Sequence, residues 1–396
     1  MNVVFISPQF PDTYWNWCDR LRKNGATVLG IGDTPYDNLA QEVKDSLNEY
    51  YWVPSLEDYD QVFRAVAFFS YKYGKIDWLE SNNEYWLSQD ARLRDDFHIT
   101  TGASAAQMAQ WQSKAEMKPL YAAANVPTAR QVRVEDPETV RAFAKEVGFP
   151  VFTKPEKGVG SGGARKIENE AELEELLAAD LDEPYVLEEY IDADLCSYEA
   201  IVDAEGNPLF ENQSEFPPSI ADTVKYQLDV AYHCKPKVDP KLRRLGRATI
   251  KSFGIKSRFV HMEFFRLTSD KPGLGSKGDY VGLEVNVRAP GGYTPDMINF
   301  AHSADVYQIW ADMVTTGATT HGSNGDEYYC VYACRRDCHS YVHSHDEVME
   351  RYGDVICMQG RMADVLSDDL GNTFYMARFK TVAERKRFEK FVQEQA

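Results

Sequence analysis

The chain has 396 residues, with 62 Asp+Glu against 43 Lys+Arg, for a formal charge of −19. That length suits two or three domains with sizeable cores. The acid excess argues against a phosphate-neutralising nucleic-acid face and against docking on anionic lipid. No apolar run reaches the roughly 18 residues of a membrane helix, and Met1-Asn2-Val3-Val4-Phe5-Ile6 lacks the basic start of a signal peptide. These features predict a cytoplasmic protein that acts on small molecules.

The first hundred residues alternate strand-like and helix-like segments: a strand at Val3–Ser7, a helix at Tyr14–Lys23 and a strand at Ala26–Ile31. A helix at Asp60–Tyr73, a strand at Ile76–Glu80 and a helix at Glu84–Asp95 follow. This order predicts a parallel sheet with helices on both faces, and ligands gather beyond the C-terminal ends of such strands. No Gly-x-Gly-x-x-Gly follows the first strand, which argues against a dinucleotide site there. Gly102 marks a boundary. Beyond it, Ser113-x-x-Glu116 and Asn169-x-x-Glu172 fit capping boxes, and Asp136-Pro137 and Asp239-Pro240 open further helices. Strands are expected at Val151–Lys154, Ala164–Glu168, Tyr185–Ile191, Tyr198–Asp203, Phe259–Leu267 and Tyr280–Val287. The tail repeats strand and helix patterns up to a final helix opened by Thr381 and Glu384. The seven cysteines are too dispersed for a disulfide framework. Cys330, Cys334 and Cys338 read either as a metal cluster or as buried thiols. Their x3 spacing inside a strand-like run favours thiols.

Strand periodicity puts Glu284, Asn286 and Arg288 on one face and Leu283, Val285 and Val287 on the other. Phe259, His261, Glu263 and Phe265 share a face of a second strand. If the two strands pair as a hairpin, Glu263, Glu284 and Asn286 converge as hard ligands suited to Mg²⁺. Simple solvent exposure of a polar face is the alternative. Arg288 then presents a planar fork to an anion, and Ala289-Pro290-Gly291-Gly292 bends into a nest of N–H groups. Lys154 ends a strand that opens into the glycine loop Gly158-Val159-Gly160-Ser161-Gly162-Gly163. That loop reads either as a phosphate cradle or as a mobile hairpin turn. Glu188 and Glu189, adjacent in the next strand, must point to opposite faces.

Taken in order, Lys114, Lys154 with its glycine loop, the segment Glu188 to Ile191 and the Glu284-x-Asn286-x-Arg288 strand resemble the ATP-grasp superfamily over most of the chain. His261-x-Glu263 and Arg288-x-x-Gly291-Gly292 are most similar to the carboxylate–amine ligases that join amino acids. The resemblance implies an α/β architecture. A parallel-sheet N-terminal domain (1–101) would precede a two-lobed grasp, with a small lobe at 102–184 and a large lobe with a C-terminal α/β extension at 185–396. It implies ATP phosphates on Lys114 and Lys154 under the loop of Gly158, Gly160, Ser161, Gly162 and Gly163. Adenine would be read by Glu188 and by the backbone of Glu189 and Ile191, with Asp194 or Glu199 as candidates for the ribose. Two Mg²⁺, replaceable by Mn²⁺, would sit on Glu263, Glu284 and Asn286. Arg288 would steady an acyl phosphate, and His261 either orients a substrate or is a buried, satisfied side chain. The expected reaction is ATP-dependent amide formation between a carboxylate, such as an amino acid, and an amine, with ADP and phosphate released. A homodimer is an expected assembly, since many relatives are dimers. A carboxylating or purine-pathway grasp enzyme and a non-catalytic ATP-binding protein are the alternatives.

Overall fold

Val3, Val4, Phe5 and Ile6 are all fully buried, as a parallel strand covered on both faces requires. In the computed structural model, which describes residues 1–158, 163–216, 223, 226–323 and 325–396, they lie in β1 (Asn2–Ile6). With β2 (Thr27–Gly32), β3 (Glu49–Trp52) and β4 (Trp78–Glu80), β1 makes a parallel sheet in the order β3-β2-β1-β4. Val4 and Ile6 face the helix Tyr59–Tyr73 through Val62, Val66 and Phe69. Val3 and Phe5 face the core that also holds Trp17 of the helix Trp15–Lys23. The indole of Trp17 meets Tyr307, Trp310 and Phe259 at centroid distances of 4.4, 5.2 and 6.0 Å, so this domain is seated on the central sheet through interlocked rings.

A second sheet combines β5 (Gln131–Arg133), β6 (Val151–Pro155), β7 (Arg165–Ile167) and β8 (Tyr185–Glu189) in the antiparallel order β5-β8-β6-β7. The helices Pro137–Val147 and Glu170–Ala178 cover it with Val140, Ala144, Leu173 and Leu176. The largest sheet has eight strands: β9 (Ala193–Val202), β10 (Pro208–Phe216), β11 (Ala231–Cys234), β12 (Arg258–Leu267), β13 (Tyr280–Asn286), β14 (Tyr329–Arg335), β15 (Ile356–Arg361) and β16 (Thr373–Phe379). Their order, β13-β12-β9-β10-β11-β14-β16-β15, joins the C-terminal strands to the candidate metal strands in one antiparallel sheet. Val260, Met262 and Phe264 of β12 pack with Leu242 and Ile250 of the helix Pro240–Phe253 on one face, which leaves His261 and Glu263 to the other.

Several local expectations need correction. The segment from Glu84 begins as a 3-10 turn, Glu84–Trp86, and only then becomes the helix Leu87–Asp96, because the Asn83 side chain takes the Tyr85 N–H first. Ser113 and Asn169 do accept the N–H groups of Glu116 and Glu172, but neither box closes. Glu116 turns to Arg133 at 2.9 Å, and Glu172 accepts from the Glu168 N–H at 2.9 Å. The Thr381–Glu384 box is complete. Cys330 and Cys334 are buried thiols of β14, whereas Cys338 is exposed.

Candidate functional site

β12 and β13 pair so that Glu263 stands opposite Glu284 and His261 opposite Asn286, with a bulge just after Glu263. Two carboxylates and one carboxamide therefore share a face, and about a fifth to a quarter of each Glu side chain is open to the cleft (24% for Glu263, 21% for Glu284). Among the described residues no three His, Cys, Asp or Glu side chains converge as a ready-made metal site. The side chain nearest in register to the two acids on this face is the Asn286 amide. Burial pushes both carboxyls up, but His261, Arg288 and Lys154 outweigh it at Glu263 and bring that group below the usual range. At Glu284 burial prevails, Glu263 adds to it, and Lys114 and Lys154 only partly offset the rise. Facing acids of opposite shift fit a divalent cation on oxygen donors.

Lys114 reaches this pair from the first turn of the helix Lys114–Ala123, with Nζ 3.4 Å from Glu284 Oε1. Its backbone N–H donates to the Glu156 carbonyl at 3.0 Å, and the Glu156 carboxylate takes Ser113 Oγ and the Arg133 fork. The helix start is thereby fastened to the end of β6, where Lys154 lies. Lys154 is buried, which lowers its pKa, yet Glu188, Glu284 and Glu263 more than compensate and keep it charged. Lys114 Nζ also approaches the Gly158 carbonyl at 3.5 Å, which places the loop's entrance beside it. At the far end Gly163 has φ +72°, and an added Cβ would lie 2.5 Å from the Tyr185 hydroxyl, so only glycine fits there. Gly160, Ser161 and Gly162 lie outside the described residues.

The adjacent acids of β8 separate as alternation demands. Glu188 accepts from Lys154 Nζ and Lys118 Nζ at 2.7 Å each and from Gln131 Nε2 at 2.9 Å. The two lysines outweigh burial and hold its pKa down at about 2. Three donors therefore already lie on this carboxylate, two on Oε1 and Lys154 alone on Oε2. Glu189 is clamped by Arg130, whose Nη2 lies 2.9 Å away, and its backbone N–H donates to the Arg130 carbonyl at 3.0 Å. Ile191 belongs to a small apolar patch with Ala129, Leu267 and Val281.

Neither ribose candidate is free. Asp194 pairs with Arg266 at 2.9 Å. Glu199 is fully buried and takes His261 Nδ1 at 2.9 Å, Asn212 Nδ2 at 2.7 Å and Ser197 Oγ, so it has no surface to offer a ribose. His261 thus has Nδ1 on Glu199, while its Nε2 faces Glu263 Oε1 at 3.6 Å. Burial opposes its charge, but Glu199 and Glu263 carry its pKa up to about 9. Asn212 Oδ1 lies 2.8 Å from His302 Nε2 and extends the network into the core.

Arg288 follows β13 and crosses to the N-terminal domain. Its Nε donates to Glu84 Oε2 at 2.8 Å and one terminal nitrogen donates to the Ala289 carbonyl at 2.9 Å. Glu80, grouped with Glu84 in sequence, is instead buried against Arg258 at 2.6 Å. Sequence reasoning missed Lys118, although its position four residues after Lys114 puts the two on one helix face. It also missed Asn212 and His302, for which no sequence signal stands out.

This arrangement, a small antiparallel lobe and a larger sheet with lysines and carboxylates between them, is the ATP-grasp fold, the fold of ATP-dependent ligases and carboxylases. Residues 113–212 match the family model described as carbamoyl-phosphate synthase L chain, ATP binding domain. No curated protein matches the chain. Among solved structures, the L-amino acid ligase from Bacillus licheniformis is similar with a TM-score of 0.74 at 13% identity, covering 100% of this chain and 97% of that one. Phosphoribosylglycinamide synthetase from Anaerococcus prevotii gives a TM-score of 0.67 at 12% identity, covering 100% and 98%. The biotin carboxylase domain dimer of Hydrogenobacter thermophilus 2-oxoglutarate carboxylase, in complex with MgADP, ADP and bicarbonate, gives 0.65 at 17% identity, covering 100% and 90%. Among the described residues no helix is long and apolar enough to cross a membrane.

Proposed function

We propose that this protein is an ATP-dependent carboxylate–amine ligase that takes an amino acid as one substrate. The observation that carries this reading is the facing pair Glu263 and Glu284 with Asn286, ringed by Lys114, Lys154 and Arg288. The units that act are taken as 1–101, 102–184 and 185–396. Lys114 and Lys154 hold the ATP phosphates under the loop from Gly158 to Gly163, and the patch around Ile191 receives the base. Glu263, Glu284 and Asn286 hold two Mg²⁺ ions, which when bound supply charge neutralisation at the transferring phosphoryl group.

A carboxylate does not condense with an amine in water because its leaving group would be oxide. In the first step a carboxylate oxygen attacks the γ-phosphorus, the bond to the β-phosphate oxygen breaks, and ADP departs. In the second the amine nitrogen attacks the carbonyl carbon and loses a proton, while the carbon–oxygen bond breaks and phosphate leaves. The residues of this chain position anions and keep water away from the acyl phosphate. Arg288 stabilises charge on the carbonyl oxygen as the tetrahedral centre forms. Its present partner, Glu84, holds the guanidinium between the N-terminal domain and the metal strands.

The test is phosphate release across amino-acid pairs, with product masses read afterwards. The panel includes bicarbonate and ribonucleotide amines, because the synthetase and carboxylase of like fold are the nearest alternatives. ADP and phosphate appearing only when carboxylate and amine are both present is the expected result. AMP as product, or turnover with bicarbonate and no amino acid, would overturn the reading. Tight ATP binding with no turnover across the panel would favour a non-catalytic binding protein.

A further inference from the structure

Glu188 is a buried carboxylate with two ammonium partners, one on each oxygen. Lys154 sits on Oε2, while Lys118 shares Oε1 with the Gln131 amide. A buried carboxylate left without a cation is costly, so a lysine that is its sole counter-ion cannot turn away. Lys154 is the lysine that must turn, because it also feels Glu284 and Glu263 across the cleft. Lys118 is held from a second side by the Ala129 carbonyl at 3.0 Å. Burial lowers its pKa, and the attraction of Glu188 only partly restores it.

We propose that Lys118 is a positioning residue: the resident counter-ion of Glu188, whose charge releases Lys154 to engage the nucleotide's phosphates. The inference rests on the reading that Lys154 binds those phosphates. When Lys154 leaves Oε2, Glu188 keeps Lys118 and Gln131 on Oε1 and needs no further partner. Without Lys118, Glu188 would retain Lys154 and compete with the phosphate for it. No proton or covalent bond moves; the device is an exchange of ion pairs.

The test compares the wild type with Lys118→Met, Lys118→Met/Glu188→Gln and Lys154→Met, each titrated with ATP by calorimetry and with adenosine by ligand-observed NMR. Lys118→Met is expected to weaken ATP by about tenfold, while adenosine, which has no phosphate to recruit Lys154, binds as before. Adding Glu188→Gln removes the competing carboxylate and restores ATP affinity to within about threefold. ATP affinity unchanged in Lys118→Met, an equal loss for adenosine, or no rescue by the second substitution would each overturn the proposal. A wild type that binds no ATP, or a Lys154→Met variant that binds it normally, would instead remove the underlying nucleotide site and the proposal with it.

Discussion

Replacing Glu80 by Gln keeps the shape of the side chain and removes one charge from a buried cluster of four. Glu80 and Arg258 are 2% and 1% exposed and meet at 2.6 Å. Arg258 Nε donates to the Val287 carbonyl at 3.0 Å, one residue before Arg288. Arg94 lies alongside and donates to the Ala103 and Leu79 carbonyls at 2.8 and 3.0 Å. Asp90, the fourth member, has its pKa raised to about 7, first by burial and then by Glu80, with Arg94 and Arg258 opposing. At neutral pH the cluster thus holds two guanidinium groups, one paired carboxylate and one acid near its midpoint. Breaking a buried pair by removing one partner costs about 3–5 kcal/mol. Part of that is recovered at higher pH, because Asp90, free of Glu80, ionises more readily and takes its place. In the wild type, Asp90 stays protonated in the fold over a range where the unfolded chain ionises it. Its contribution is present below the unfolded value and lost as pH rises toward about 7. The variant lacks much of that loss, so its deficit shrinks as pH rises. Urea denaturation of both proteins at pH 5.5 and pH 8 reads the difference. A variant within about 1 kcal/mol of the wild type at both pH values, or a deficit that grows with pH, would refute this account.

His233 is buried against Arg385, and burial first and that guanidinium second lower its pKa to about 3. Its share of stability is therefore complete above the unfolded value and lost as pH falls from about 6.5. His233→Gln should flatten the acid limb of a melting-temperature profile, and an unchanged limb would discard the assignment. Trp17→Ala should cost about 3–5 kcal/mol in denaturant, since the indole is fully buried among Phe259 of the central sheet and Tyr307 and Trp310 of the helix Val306–Thr316. Mg²⁺ should raise the thermal midpoint of the wild type, by about 2.7 kcal/mol of stabilisation at a hundredfold excess over its Kd. Glu284→Gln should blunt that response, which differential scanning fluorimetry can follow, and an equal response would remove Glu284 from the metal set.

Much of the fold was legible because its periods are clean. Val3 to Ile6 reads as a strand covered on both faces, and the alternation in 259–265 and 283–288 assigned Glu263 and Glu284 to one shared face. Adjacent Glu188 and Glu189 separated as period two requires, one toward lysines and one toward Arg130. What stayed hidden was polar and internal. Asn212, Gln213 and Ser214 are the buried centre of β10, where Asn212 donates to Ser214 Oγ along the strand and to Glu199 on the neighbouring β9. The second partner of Glu188 was half visible: the spacing of Lys118 from Lys114 gives its helix face, but not the carboxylate on another strand that it meets. Glu199 illustrates the same limit. Its type and place fitted a sugar contact, but its neighbours Ser197, Asn212 and His261 turned it inward.

The pairing of β11 with β14, from Ala231 opposite Ala333 to Cys234 opposite Cys330, builds the C-terminal strands into the same sheet as β12 and β13. A truncated form ending before Tyr329 would expose the whole hydrogen-bonding edge of β11 and uncover the Tyr232 ring. Open edges of that kind recruit other strands, so such a fragment would be prone to self-association. A cut through the eight-stranded sheet therefore leaves open strand edges that the whole chain keeps paired.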